Sequence, residues 1–126
     1  MKLQSPFKFI LILSILHLPN ILKGQVFVNR IDINKIPRLE YCEIVGIDMG
    51  FFKKKLQVVI DFGQPIHWGD DMSISEDTLG EAKIFNTMIH ALNFMSNNGW
   101  EYVDAYAVSE ASGGKVYHYL MRKKKD

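Results

Sequence analysis

The side chains best equipped for chemistry stand close together in mid-chain: His67, Trp68, Asp70 and Asp71. An imidazole beside two carboxylates can hold a divalent cation or pass a proton. The spacing matches no recognised ligand pattern, however, and surface loops collect His and Asp because both are well solvated. A solvated loop is the first reading, with a small metal-dependent or acid/base hydrolase on His67, Asp70 and Asp71 as the alternative. His90 and His118 could supply a missing ligand. Each also suits a hydrogen-bonded structural role, because the sequence offers neither one an orienting acid and a nucleophile. Ser109, Ser112 and Cys42 lack any flanking signature such as a Gly-x-Ser-x-Gly elbow. Paired-cysteine spacings, glycine-rich phosphate loops and long heptads are missing too. No catalytic residue, metal or cofactor is expected.

Aromatic side chains make a second set. Trp100, Tyr102, Tyr106, Tyr117 and Tyr119 fall on two segments that read as paired strands, where they would form either a flat platform for a sugar, peptide or base, or ordinary core packing. Trp100 and Tyr102 are expected against the helix, with one or more of Tyr106, Tyr117 and Tyr119 left exposed. An exposed tyrosine row would speak for binding rather than catalysis. The binding candidates are thus His67, Trp68, Asp70, Asp71, Tyr106, Tyr117 and Tyr119. Two basic runs, Lys53-Lys54-Lys55 and Arg122-Lys123-Lys124-Lys125, suit a solvated turn and a strand end blunted against unwanted pairing, with contact to phosphate or an anionic surface as the alternative.

These residues need a frame, and the chain starts with a segment that does not belong to it. Lys2 and Lys8 are followed by an apolar run from Phe9 to Leu18, then by Pro19-Asn20 and Lys23-Gly24-Gln25. That is the order of a secretory signal peptide. A membrane span needs about 20 apolar residues, and this run is broken by His17, Pro19 and Asn20 before that length. Cleavage is expected after Gly24, releasing an exported protein to the periplasm or the cell exterior. A membrane association is expected only if the segment stays uncleaved. With residues 1–24 removed, 15 basic residues less Lys2, Lys8 and Lys23 leaves 12 against 14 acidic, a net charge of −2 in place of +1. A generally basic nucleic-acid binder is not indicated. The 102 residues that remain from 126 suit one domain, and a chain of that size buries about 60% or more of its unfolded surface. The lone Cys42 cannot form an internal bridge.

Within that domain, residues 25–37 read as a linker or a short edge segment ended by Pro37. A period-two pattern over Leu39 to Asp48 and another over Leu56 to Phe62 predict an antiparallel hairpin. On this reading Ile44 and Val59 lie on the minority faces of their strands, as do Val103 and Ala105 on theirs. Gly63 to Gly80 shows no period and reads as a loop, longer than the 12 to 15 residues or so that compact domains usually tolerate. Ala82 to Phe85 would add a short strand, and Asn86 would cap a helix whose stripe is Met88, Leu92 and Met95, flanked by Ile89 and Ala91. Gly99 ends it. Trp100 to Val108 and Val116 to Met121 close the chain as a second hairpin about Ser112-Gly113-Gly114.

Three stretches, Ala91-Leu92-Asn93-Phe94-Met95, Gly99-Trp100-Glu101-Tyr102-Val103 and Tyr117-His118-Tyr119-Leu120-Met121-Arg122-Lys123, resemble the DUF4177-like small bacterial domains. Those domains show a helix, a Gly-Trp-Glu turn into a strand, and a last strand ending in a Lys/Arg pair. The first hairpin, from Tyr41 to Gln64, is similar to that of uncharacterised exported proteins of Bacteroides-type bacteria. The family's function is unknown, so the resemblance implies a fold and no activity. The signal segment and the 63–80 loop depart from its shortest members.

The fold class expected is α+β: an antiparallel sheet of two β-hairpins with one helix packed on one face, in the order β-β-(β)-α-β-β. The single domain runs from 38 to 126. Its other sheet face is left open to a homo-oligomer or a protein partner, and an exported, non-enzymatic binding or structural domain is the expected function. It would act through that face or through the 63–80 loop.

Overall fold

Period-two apolar patterning makes strands here and a 3.6-residue stripe makes the helix, and the elements assemble according to which face of each is apolar. The computed structural model describes residues 24–48, 56–67, 72–75, 81–111 and 113–125. The strands are β1 (Phe27–Val28), β2 (Ile31–Asp32), β3 (Tyr41–Asp48), β4 (Leu56–Asp61), β5 (Ile74–Ser75), β6 (Trp100–Ser109) and β7 (Lys115–Lys123). They accompany one α-helix, α1 (Met88–Asn97), and a 3-10 turn over Ile33–Lys35. The fold is α+β. The antiparallel pairs β3-β4 and β6-β7 are joined by antiparallel pairing of β3 with β7, giving a sheet in the order β4-β3-β7-β6.

Helix α1 covers one face of that sheet through Met88, Ala91 and Met95, all buried, against Ile44, Ile60, Trp100 and Met121. The helix is rotated slightly from the stripe read in sequence. Ile89 is exposed and Leu92 only half-buried. The cap is Thr87 rather than Asn86: its hydroxyl accepts the His90 N–H at 3.1 Å, while the Asn86 N–H donates to His90 Nδ1 at 3.4 Å. Thr and Asn both satisfy a helix start, so adjacent candidates cannot be ranked by type alone.

Two further departures share one cause, elements too short to show a period. The predicted Ala82–Phe85 strand is reduced to single bridges, Ser75 to Ala82 and Leu56 to Phe85, with Phe85 itself fully buried. Residues 25–37, read as a linker or a short edge segment, supply Val26, Val28 and Ile33 to the core. They form the β1-β2 hairpin, whose outer partner β5 comes from the presumed loop, making a second sheet ordered β2-β1-β5 where a single sheet was expected.

The face assigned to β3 also reverses for Ile44. Cys42, Ile44 and Gly46 point to the helix, and Gly46 is a close approach: a Cβ there would overlap the Sδ of Met88. Gly46→Ala therefore forces Met88 off its seat and lowers stability by about 1–3 kcal/mol. Urea denaturation checks this as a lower midpoint at unchanged slope. Met88→Ala in the same background should recover part of the loss, and a Gly46→Ala midpoint equal to that of the parent would refute the contact.

Candidate functional site

Because Cys42, Ile44 and Gly46 face the helix, period two turns Tyr41, Glu43, Val45 and Ile47 to the sheet's other side. On β7 the same logic turns Val116, His118, Leu120 and Arg122 outward, since Met121 is buried under α1. Strand β6 would contradict both if it were regular. Trp100 is fully buried on the helix side, so strict alternation would send Tyr106 inward with it. A β-bulge between Tyr102 and Asp104 inserts one residue and inverts the phase. Tyr106 thereby lands opposite His118 on the open face, while Ala105 and Ala107 take the helix side.

The result is a three-residue cluster drawn from three adjacent strands. The rings of Tyr106 and His118 stack with centroids 4.5 Å apart and planes 2° from parallel. Tyr106 donates its hydroxyl proton to Glu43 Oε1 at 3.0 Å, and Glu43 Oε2 lies 3.2 Å from His118 Nδ1. The latter is a close approach rather than an aligned hydrogen bond, since Nδ1 is buried without a partner of hydrogen-bonding geometry. Donation to Glu43 raises the Tyr106 phenol above its usual range, so it stays protonated. The hydrogen bond between a protonated phenol and a carboxylate fixes both side chains in place. Next to it Arg122 donates through Nε and Nη2 to Glu101 Oε1, each at 2.8 Å. That pairing, helped by Tyr41, holds the guanidinium above its ordinary value.

The candidates named from sequence fall in separate places. Tyr106 belongs to the open face and is 55% exposed. Tyr117 and Tyr119 lie on the helix side, half-buried against the core, so the three tyrosines form no single row. Tyr102, expected under the helix, is 51% exposed and meets Tyr119 edge to face, with centroids 6.1 Å apart. It shares Trp100's face but is not sheltered as Trp100 is. His67 lines a shallow, largely apolar cavity of about 200 Å³ with Val28, Phe62, Pro65 and Met72. Trp68, Asp70, Asp71, Ser112 and Lys53-Lys54-Lys55 lie outside the described residues. His90 packs edge-on against Phe85 at 5.2 Å. Among the described residues no three His, Cys, Asp or Glu side chains converge as metal ligands, and no helix is long and apolar enough to cross a membrane.

The basic tail is structural at two positions. Lys123 Nζ donates to Asn34 O at 3.1 Å, and Lys124 Nζ to Ser96 O at 2.8 Å near the end of α1. Cys42 is buried under the helix, and burial pushes its thiol from 9.0 up to about 12. Iodoacetamide should leave the folded protein unmodified at pH 8 yet alkylate it once urea opens the core, as mass spectrometry would show. The folded pKa is raised, so the stability linked to this thiol is whole below pH 9 and is lost as pH rises toward 12. Rapid labelling of the folded protein at pH 8 would contradict this burial.

No motif in the sequence marks Glu43 or Tyr41 as a functional residue. Alternation alone could have put Glu43 on the open face, but its meeting with Tyr106 depends on the bulge, which no residue type announces. Comparison with protein-family models, curated proteins and solved structures finds no match for this chain.

Proposed function

We propose that this chain is an exported, non-enzymatic binding domain that recognises its partner with the open face of the four-stranded sheet, centred on Tyr106, His118 and Glu43. The observation that carries this reading is the stacked Tyr106–His118 pair held at one carboxylate. Side chains fixed before a partner arrives lose less rotamer freedom on binding, so such a surface is preorganised. Its aromatic centre is flanked along the same face by Glu43, Asp61, Asp104 and Glu101 against Arg122. A lysine or arginine laid over the Tyr106 ring would combine cation–π attraction with nearby carboxylates, so the reading favours a cationic, peptide-like partner. The N-terminal sequence, with its basic start and short apolar run, supports a place of action outside the cytoplasm.

An NMR titration of the protein with oligolysine, set against a neutral oligosaccharide, tests the assignment. Oligolysine should produce saturable shifts at Glu43, Val45, Tyr106, His118 and Leu120, and Tyr106→Ala should weaken them without unfolding the domain. Shifts confined to the cavity beside His67, or none that saturate with either probe, would count against the open face.

A further inference from the structure

Strand β6 is the outermost strand of its sheet, and among the described residues no strand pairs with its far edge. The opposite edge is different, since β4 is bridged by Ser73 and Phe85 and its Ile60 N–H donates to Met72 O at 3.0 Å. Long edge strands are normally blunted by Lys, Pro, bulges or shortness. The bulge of β6 lies before Asp104, and from Asp104 to Ser109 the strand has one charge and no Lys, Arg or Pro. Its outward groups can be identified. The Glu110 N–H donates to Gly114 O at 2.9 Å with Ser109 opposite Lys115, so alternation turns the backbone of Tyr106 and Val108 toward β7 and that of Ala105 and Ala107 toward solvent.

We propose that this edge pairs with the same edge of a second copy of the chain, antiparallel, about a two-fold axis at Tyr106. Two strands so related must set residues of the same face opposite each other, which joins the two open faces into one surface. The partner strand must be nearly uncharged, and small on the helix side where Ala105 and Ala107 stand. The edge itself meets that description. With the axis at Tyr106, Ala105 faces Ala107 of the second copy and Asp104 faces its Val108. Moving the axis to Ala107 would set Asp104 against Glu110 twice, a destabilising like-charge pair, and moving it to Ala105 would drive the bulge into the ladder. So short a ladder makes a small interface, which belongs to the transient class.

Asp104 governs the exchange. Its Oδ1 accepts the outward Ala105 N–H at 2.8 Å, and pairing must replace that bond with one to Ala107 O of the second copy. Asp104→Ala frees the amide on both copies and removes the strand's charge, so it should tighten association about tenfold. Ala107→Lys, at an exposed position, should abolish it. The full chain is measured by sedimentation velocity and by amide exchange across a concentration series. Ala105 and Ala107 should gain protection as concentration rises, more so in Asp104→Ala and not at all in Ala107→Lys. Association that survives Ala107→Lys would overturn the proposal, as would concentration-independent exchange at both amides in the parent and in Asp104→Ala. Protection conferred only by an unrelated neutral β-forming peptide would overturn it in favour of a foreign strand.

Discussion

Replacing Trp100 with Ala should lower the unfolding free energy by about 3–5 kcal/mol, a large share of what a domain of this size possesses. Trp100 is fully buried where α1 ends and β6 begins, so its ring is packed by helix and sheet together. Its indole N–H donates to Asn34 Oδ1 at 2.7 Å, and the Lys123 ammonium lies 5.5 Å from the ring centroid. Alanine removes the packing, the hydrogen bond and the cation–π contact at once. Trp100→Phe keeps most of the volume and loses the donor, leaving Asn34 Oδ1 unpaired, so its effect should be smaller, about 1–3 kcal/mol. Urea denaturation of the three proteins separates the terms. An alanine variant within about 1 kcal/mol of the parent would mean that the indole is not a keystone of the core.

The second large effect is expected at Asn34, the acceptor of that indole. Its Nδ2 donates both to the Gly24 carbonyl and to Asn98 O, the latter at 2.8 Å, so one amide ties the N-terminal segment to the end of the helix and to Trp100. Asn34→Ala strands the indole donor and both carbonyls and should destabilise by about 2–4 kcal/mol. Asn34→Asp is the more diagnostic change. It keeps an acceptor for the indole but puts a carboxylate against two carbonyl oxygens, an arrangement that favours the protonated acid. The variant's folded pKa is then raised, so its deficit relative to the parent should be full above that value and shrink as pH falls through it toward the carboxyl's unfolded value. Thermal unfolding from pH 4 to 8 gives the comparison. A deficit that does not change with pH would remove the amide from this role.

The elements legible in sequence were those long enough to show a period. Strands β3, β4, β6 and β7 and helix α1 each repeat an apolar position several times, and Gly99, at φ 92°, ends the helix as read. Strands β1 and β2 have only two residues each, and their turn hides its nature. Asn29 and Arg30 sit at φ 47° and 65°, values for which a hairpin usually recruits glycine, and an arginine there gives no signal. The side to which Ile44 belongs could not be read because both faces of β3 are apolar, Cys42 and Ile44 on one and Val45 and Ile47 on the other. The packing of α1, with Met88 seated over Gly46, decides it. The open-face cluster was half legible. Tyr106 was a candidate, but pairing it with Glu43 and His118 takes a strand order and a one-residue phase shift that are tertiary facts.

The hold that Asn34 and Asn98 keep on residues 24 and 25 bears on the cleavage expected after Gly24. The Gly24 carbonyl is engaged by Asn34 and the Gln25 amide by Asn98 Oδ1 at 3.2 Å, and Gly24 lies so near the Asn98 backbone that a Cβ would collide with it. The carbonyl and the amide belong to one peptide bond, the bond at which the leader is expected to be cut. A protease needs that bond extended in its own cleft, so folding and processing compete for the same substrate. If residues 1–24 are a leader cut after Gly24, the scissors must precede the clasp.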